Sequence, residues 1–417
     1  MHPSLHFHDA VPDPSRGALA ATSLITPGAD VVRGAGPWPR EASEQAVAWE
    51  EGVITYVGPA DGLAGVDPEP FEGCTIAPGF VDCHTHLPFV GWRADEFEAR
   101  LAGATYRDLH GEGGIGRSAR LFAEASDDEV LAFCRPLVRE MADHGTTTLE
   151  LKTGYGLSVE RELRQARLAR RLAAEAPQTC VVTLLACHAV PEGTDRRDWV
   201  RAVCEELIPA ASEERLVDAV DVYVEDIAFT IEDLTEVARC ASDHGLPIRC
   251  HADQLGPSGA AEAALALGAR SVDHLNHVSE EGISALGAAA ATVAVLLPTS
   301  TLFLRSAPPD VRALLDAGAA VALATDCNPG TSPVVSMPEA IGVGCSMYGL
   351  TPAEALAGAT VNAAAALGLA GSRGTLAVDA PADLVVLDGD AFRHVPYRPG
   401  HNPVLHTFAN GERVGGR

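Results

Sequence analysis

Four side chains in this 417-residue sequence have the types and settings that hold a catalytic metal ion: His84, His86, His251 and Asp326. His84 and His86 end the run Pro78-Gly79-Phe80-Val81-Asp82-Cys83-His84-Thr85-His86. Residues i and i+2 of a strand point to one face, so this spacing aims two imidazoles into one space. His251 closes the apolar run Pro247–His251, and Asp326 closes Ala320–Asp326. Imidazole and carboxylate donors suit one divalent ion, zinc or iron, in a site that keeps a position open. An ion so held lowers the pKa of water toward neutrality and supplies hydroxide. His274 closes Ser271–His274 and is placed to orient that water or to polarise a carbonyl under attack, while Asp326 can also take the proton from water. His188 ends Cys180–His188, where it faces either substrate or a second metal. His110, His144, His244 and His277 sit in loop or helix-end patterns and read as solvated, capping or structural residues.

These residues can converge only if the elements carrying them share one end of one scaffold. Eight apolar runs read as strands: Phe80–His86, Thr146–Lys152, Cys180–His188, Ala219–Glu225, Pro247–His251, Ser271–His274, Thr292–Leu297 and Ala320–Asp326. Helical patterns lie between them, among them 127–144, 158–176, 231–244 and 336–348. Apolar strands alternating with helices imply parallel strands buried on both faces. The fold class is therefore α/β, a (β/α)8 TIM-like barrel over 78–370, with catalytic groups at the C-terminal strand ends. Short strands at 18–25, 46–49, 53–57 and 74–77, with a loop over 27–44, pair naturally with β segments at 374–378, 382–387 and 404–410, after a helical 351–369. This predicts a small discontinuous β-sandwich domain from 19–77 plus 371–417. Residues 1–18 read as a disordered tail.

The formal charge of −27, from 57 acidic and 30 basic residues, argues against nucleic acid or an anionic membrane surface as partner. A small anionic substrate would then need a local arginine. No apolar run reaches the ~18 residues of a membrane span, and no export signal is visible. The ten cysteines are scattered with no CxxC pair, which suits buried thiols in a reducing cytoplasm. A homodimer is a common state for an enzyme of this size.

The stretch 78–86, the histidines closing the fifth and sixth strands and the aspartate closing the eighth resemble the metal-dependent amidohydrolase superfamily. More narrowly, the chain resembles the imidazolonepropionase family over nearly everything after residue 50 or so. The carrying stretches are Asp82–Phe89 with Arg93 and Asp95-Glu96-Phe97; Gly103-Ala104-Thr105-Tyr106; Glu150-Leu151-Lys152-Thr153-Gly154-Tyr155-Gly156-Leu157; His188-Ala189-Val190-Pro191; His251-Ala252-Asp253-Gln254; Asp273-His274-Leu275; and Asp326-Cys327-Asn328-Pro329-Gly330-Thr331-Ser332-Pro333. The resemblance implies His84, His86, His251 and Asp326 as ligands of one zinc or iron ion. It implies Arg93, Tyr106, Tyr155, His188, Asn328 and Thr331 as contacts of an imidazolone ring bearing a propionate. Gln254 and His274 would stand at the reacting carbonyl. The implied reaction is hydrolysis of the cyclic amide to N-formimidoyl-L-glutamate, in histidine degradation.

Gln254 cannot titrate, whereas deaminases on this barrel carry a glutamate there. Lys152 closes the second strand, whereas the bridging lysine of two-metal amidohydrolases closes the fourth, which here ends in Glu225-Asp226. The chain departs from the family at Glu112-Gly113-Gly114-Ile115, at Asn276 and at Thr299-Ser300-Thr301, positions expected on the substrate side of the barrel mouth. A related hydrolase or deaminase for another imidazole or hydantoin-type ring, and a metal-free scaffold barrel, are the alternatives.

Overall fold

The computed structural model describes residues 16–34, 36, 38–104 and 113–417. Tyr106, His110, Glu112 and the expected tail up to residue 15 lie outside the described residues. Residues 16–18, read from sequence as tail, begin the first strand.

The strands, in chain order, are β1 (Arg16–Thr26), β2 (Arg40–Glu50), β3 (Val53–Pro59), β4 (Glu69–Pro78), β5 (Phe80–Asp82), β6 (Thr146–Lys152), β7 (Thr179–Cys187), β8 (Ala219–Val224), β9 (Ile248–Ala252), β10 (Ser271–His274), β11 (Val293–Leu296), β12 (Ala320–Leu323), β13 (Leu384–Asp388), β14 (Val404–Ala409) and β15 (Glu412–Gly415). They form two sheets.

Strands β5 to β12 make an eight-stranded parallel sheet in sequence order. Beyond the ends of β5 and β12 the sheet closes on itself: Asp326 N donates to the His84 carbonyl (3.0 Å) and His86 N to the Cys327 carbonyl (2.9 Å). These strands are buried almost throughout, as expected when helices cover one face and the barrel core the other. Helix starts are fixed locally: Ser126 with Glu129, Thr230 with Asp233 and Thr351 with Glu354 each form a reciprocal capping box.

The second sheet has seven strands in the order β15-β14-β13-β4-β1-β2-β3, so both chain ends build it. Strands β2 and β14 are four places apart, about 19 Å in a flat sheet. Yet the rings of Trp49 and Phe408 are 5.4 Å apart. The sheet therefore folds over, and its flanks enclose Leu19, Ile54, Ile76, Leu384 and Val386 as a sandwich-like core.

Three local expectations change. The loop expected over 27–44 gives way to β2 from Arg40, whose first residues are exposed and polar on both faces and so carry no hydrophobic alternation. Residues 374–378 are irregular rather than β. The helix expected over 351–369 is two, Pro352–Gly358 and Val361–Ala366, broken where the Thr360 backbone leaves helical geometry.

Candidate active site

The strand ends deliver the ligand candidates by irregular backbone. Strand β5 stops at Asp82, and His84–His86 run on in extended form, held by bonds to Cys327 and by Lys152 N donating to the Thr85 carbonyl (3.0 Å). The alternation that puts both imidazoles on one side thus outlasts the regular strand. Asp326 has φ +54° and His274 +78°, left-handed values that non-glycine residues rarely adopt and that cluster where side chains are re-aimed at a site.

Among the described residues, His84 Nε2 lies 3.2 Å from His86 Nε2, and Asp326 Oδ1 lies 3.2 Å from His86 Nε2 and 3.6 Å from His84 Nε2. Donor atoms on a tetrahedral ion with 2.0–2.1 Å bonds sit about 3.3 Å apart. His84 also groups with His251 and His274, one ligand atom from each lying within 4.8 Å of the others. All five residues are buried, and His251 Nε2 and Asp326 Oδ1 meet no hydrogen-bond geometry among the described residues. Nitrogen and carboxylate oxygen atoms crowded this closely in a buried site are what a cation draws together, so the donor set fits a divalent metal.

The remaining imidazole nitrogens set the tautomers. His84 Nδ1 lies 2.6 Å from Asp273 Oδ2, and His251 Nδ1 lies 3.1 Å from Asp221 Oδ1. Asp221 is ionised and accepts only, so His251 Nδ1 carries the proton and its Nε2 presents a lone pair to the centre; burial raises Asp273 to about 7, and its contact with His84 Nδ1 leaves His84 Nε2 turned to the same centre. Burial, helped by the Lys152 charge, pushes the His84 pKa far below that of an ordinary imidazole. Burial lowers His86 as well, against the pull of Asp326. Burial would raise Asp221, but His251 and Lys152 overcome it and hold this carboxylate ionised. Burial lowers His274 to about 3, so its ring is neutral at physiological pH.

One small cavity, about 30 Å³, is lined by His86, His188, His251, His274 and Asp326 together with Arg93, Tyr155, Gln254, Asn328 and Thr331. The structure thus brings together every expected site residue it describes, with His84 directly beneath. Arg93 is only 3 % exposed, and its Nε and Nη1 groups lack hydrogen-bond acceptors among the described residues, although Glu96 Oε2 stands 3.5 Å from Nε. Buried guanidinium donors left over beside a cavity suit a carboxylate ligand. His188 donates from Nδ1 to the Gly154 carbonyl (3.2 Å) and stacks on His86 with centroids 5.0 Å apart. Gly154, at φ +117°, allows that approach, because a Cβ there would lie 2.8 Å from His188 Nδ1. The amide of Asn328 is turned into its own loop, bonding Asp326 O, Thr331 Oγ1 and the Gly330 and Thr331 amides, so it shapes the wall rather than offering free groups.

The helix Val159–Glu175 holds the Tyr155 loop. Glu162 accepts from the amides of Gly154, Gly156 and Leu157; Gln165 accepts from those of Gly154 and Tyr155 and donates to the Pro88 carbonyl at 2.8 Å. Ile115, expected on the substrate side, lines the cavity, whereas a further cavity residue, Tyr223, and the two carboxylates Asp221 and Asp273 were not legible as site residues. A charged residue inside the apolar runs Ala219–Val224 and Ser271–His274 is the signal that could have found the carboxylates. Asn276 and Thr301, expected on the substrate side, do not line the cavity. Asn276 Nδ2 donates to Thr301 Oγ1 (3.0 Å), which pairs with Tyr348 Oη (2.7 Å). Lys152 is wholly buried and paired with Asp221 and Glu150, not turned toward the cavity.

A model of the amidohydrolase family matches residues 75–414. Imidazolonepropionase from Xanthomonas oryzae pv. oryzae is 43% identical over 366 residues, spanning 87% of this chain and 91% of that one. Imidazolonepropionase from Rhizorhabdus wittichii is 44% identical over 368 residues, 87% and 92% of the two chains. Among solved structures, an adenosine deaminase from Xanthomonas campestris with bound zinc superposes with a TM-score of 0.73 at 18% identity, covering 96% of this chain and 92% of that one, a likeness of fold. The chain belongs to the imidazolonepropionase family of the amidohydrolases.

Proposed function

We propose that the protein hydrolyses 4-imidazolone-5-propionate to N-formimidoyl-L-glutamate by opening the ring amide. The observation that carries this reading is the meeting, in one buried cavity, of a metal-type donor set with a guanidinium whose Nε and Nη1 lack hydrogen-bond acceptors among the described residues. The sequence identity to imidazolonepropionases supports it independently.

In this reading His84, His86, His251 and Asp326 hold one divalent ion, zinc or iron. Such an ion makes hydroxide available near neutral pH and polarises a carbonyl. Arg93 binds the propionate, Tyr155 and His188 bound the ring, and Tyr106 joins them from the segment after Ala104. Asn328 and Thr331 shape the wall behind Arg93. His274, neutral in its buried setting, hydrogen-bonds at the reacting carbonyl without carrying charge there. Asp326 receives the proton given up by water, and Gln254 orients the ring through its amide. Because that amide cannot cycle a proton, the arrangement favours amide hydrolysis over deamination. The working form is a homodimer in the cytoplasm, which light scattering and fractionation would check.

The test is turnover of freshly prepared 4-imidazolone-5-propionate by metal-loaded protein, followed through loss of ring absorbance with the product identified by mass. Absence of turnover by metal-loaded, folded protein would refute the assignment.

A further inference from the structure

Behind His84 and His251 lies a buried charge cluster. Lys152 Nζ is 2.6 Å from Asp221 Oδ2, 2.9 Å from Glu150 Oε2 and 3.8 Å from Asp273 Oδ2. Arg249 Nη1 bonds Glu150 Oε1 at 2.5 Å, and the Thr183 hydroxyl donates to the same oxygen. All five charged groups are at most 1 % exposed. Asp221 and Asp273 are the two carboxyl groups that stand against Nδ1 of His251 and His84. One ammonium therefore stands between the partners of two ligand histidines that come from β9 and from the end of β5. A carbamate on Lys152 would set a negative group among three carboxylates, so the residue acts here as a cation.

We infer that Lys152 is a positioning residue for metal binding: its ammonium ties Asp221 to Asp273 and thereby fixes the orientation and tautomer of His251 and His84 together. This rests on the reading that these histidines hold the metal. The physical reason is that an imidazole binds a metal through one nitrogen while the other is oriented by an outer partner, and that partner is itself free to turn unless held. His251 Nδ1 lies 3.1 Å from each oxygen of Asp221, and Lys152 Nζ grips Oδ2 at 2.6 Å, so the carboxylate is held from two directions. Asp273 turns the same oxygen, Oδ2, to His84 Nδ1 and toward Lys152. Glu150, anchored by Arg249 and Thr183, holds the ammonium from the opposite side.

The test uses Zn2+ as probe and the full-length protein. Zinc affinity is measured by chelator competition for wild type, for Glu150→Gln, and for Lys152→Met combined with Glu150→Gln, a pair that removes one charge of each sign. Far-ultraviolet circular dichroism reports the fold. The expected result is binding 10–100-fold weaker in the double variant, against a change under about threefold for Glu150→Gln alone. The visible bands of the Co2+-loaded protein should shift with it, which a purely structural loss would not cause in folded protein. Wild-type affinity in the folded double variant, or the full loss already in Glu150→Gln, overturns the inference. If wild type itself binds no zinc, it is the metal reading that fails. Should the double variant not fold, the question is decided on wild type: nitrogen-15 histidine spectra of metal-free protein should show both His84 and His251 protonated at Nδ1, and a proton at Nε2 of either overturns the clamp.

Discussion

Gly330 offers a way to move Arg93 without removing it. A Cβ built on Gly330 would fall 1.6 Å from Arg93 Nη2, 2.4 Å from its Cζ and 2.6 Å from its Nε. Gly330 is not in the left-handed region, so alanine is acceptable to the backbone and the collision is the whole effect. Restoring ordinary contact requires the guanidinium to withdraw by about 2 Å. A hydrogen bond of 2.8 Å does not survive that shift. A charge-assisted bond contributes ~1.5–3 kcal/mol, so losing most of one two-pronged carboxylate contact should cost ~2–3 kcal/mol. That corresponds to a rise of roughly 30–150-fold in KM for 4-imidazolone-5-propionate with kcat little changed, since the propionate lies away from the reacting bond. The assay is steady-state turnover of wild type, Gly330→Ala, Arg93→Ala and the double variant. The two substitutions act on one contact, so their effects must not add: with Arg93 gone, Gly330→Ala should cost less than about twofold. A Gly330→Ala enzyme with wild-type KM, or a double variant whose defects multiply, would show that Arg93 does not hold the carboxylate.

Gln165→Leu removes the side chain that ties the Pro88 carbonyl to the Gly154 and Tyr155 amides, leaving the Pro88 carbonyl and the Tyr155 amide without this partner at ~1–3 kcal/mol each while Gly154 keeps Glu162; the melting temperature should fall and KM rise together, and a change in neither would discount the tie. Thr301→Val takes the partner from Asn276 and Tyr348 and should lower stability by about 1–3 kcal/mol while leaving KM within twofold; a large KM change would put this wall back in the substrate site. His406, half-buried beside Phe71, has its pKa lowered to about 4 by burial and then by Arg413. The unfolded chain binds a proton near 6.5 and the folded chain does not, so stability present above pH 6.5 is lost as pH falls toward 4. Discounted for its solvent exposure, the loss should be ~1–2 kcal/mol between pH 7 and 4 and absent in His406→Gln, read as the difference between their denaturant midpoints; parallel pH profiles would contradict it. Loading metal-free protein with Zn2+ at 100 times its dissociation constant should add ~2.7 kcal/mol, seen as a higher melting temperature; no rise would contradict the metal centre.

Much of the barrel was legible because its strands are continuous apolar runs that end in chemically able residues, and that pattern requires no knowledge of tertiary context. The strand borders were not: β5 is regular for three residues only, and the histidines are carried by extended chain that its neighbours hold through backbone bonds. The four ligand candidates and Arg93 were readable from type and position. Asp221 and Asp273 were not, since one carboxylate in an apolar strand reads as an exception until its partner 30 or 189 residues away in sequence is seen to be a histidine. The surroundings of Lys152 are not legible either, because a lone lysine at a strand end says nothing about which carboxylates surround it. In the terminal sheet, Arg40–Gln45 hid a strand because none of its side chains is buried.

The departures from the family pattern bear on substrate identity less than their positions in sequence imply. Asn276 stands where an acidic residue is usual, and Thr301 in a turn that is usually apolar. In the structure each answers the other: the amide of one donates to the hydroxyl of the other, and the Ala307 carbonyl takes a second hydrogen of the same amide at 2.8 Å. Thr299 and Ser332 likewise turn their hydroxyls onto the Thr325 carbonyl, at 2.7 and 2.6 Å. Asn276, Thr299 and Thr301, satisfied in this way, contribute no donor or acceptor to a ligand, and a neutral pair in place of a charged one needs no counter-ion; Ser300 differs, its hydroxyl acting on Asp326. The groups that do face the cavity, from Arg93 through Gln254 to His274, are those shared with the family pattern. Among the described residues, the change at Asn276 and Thr301 is thus an exchange of one internal hydrogen-bonding scheme for another.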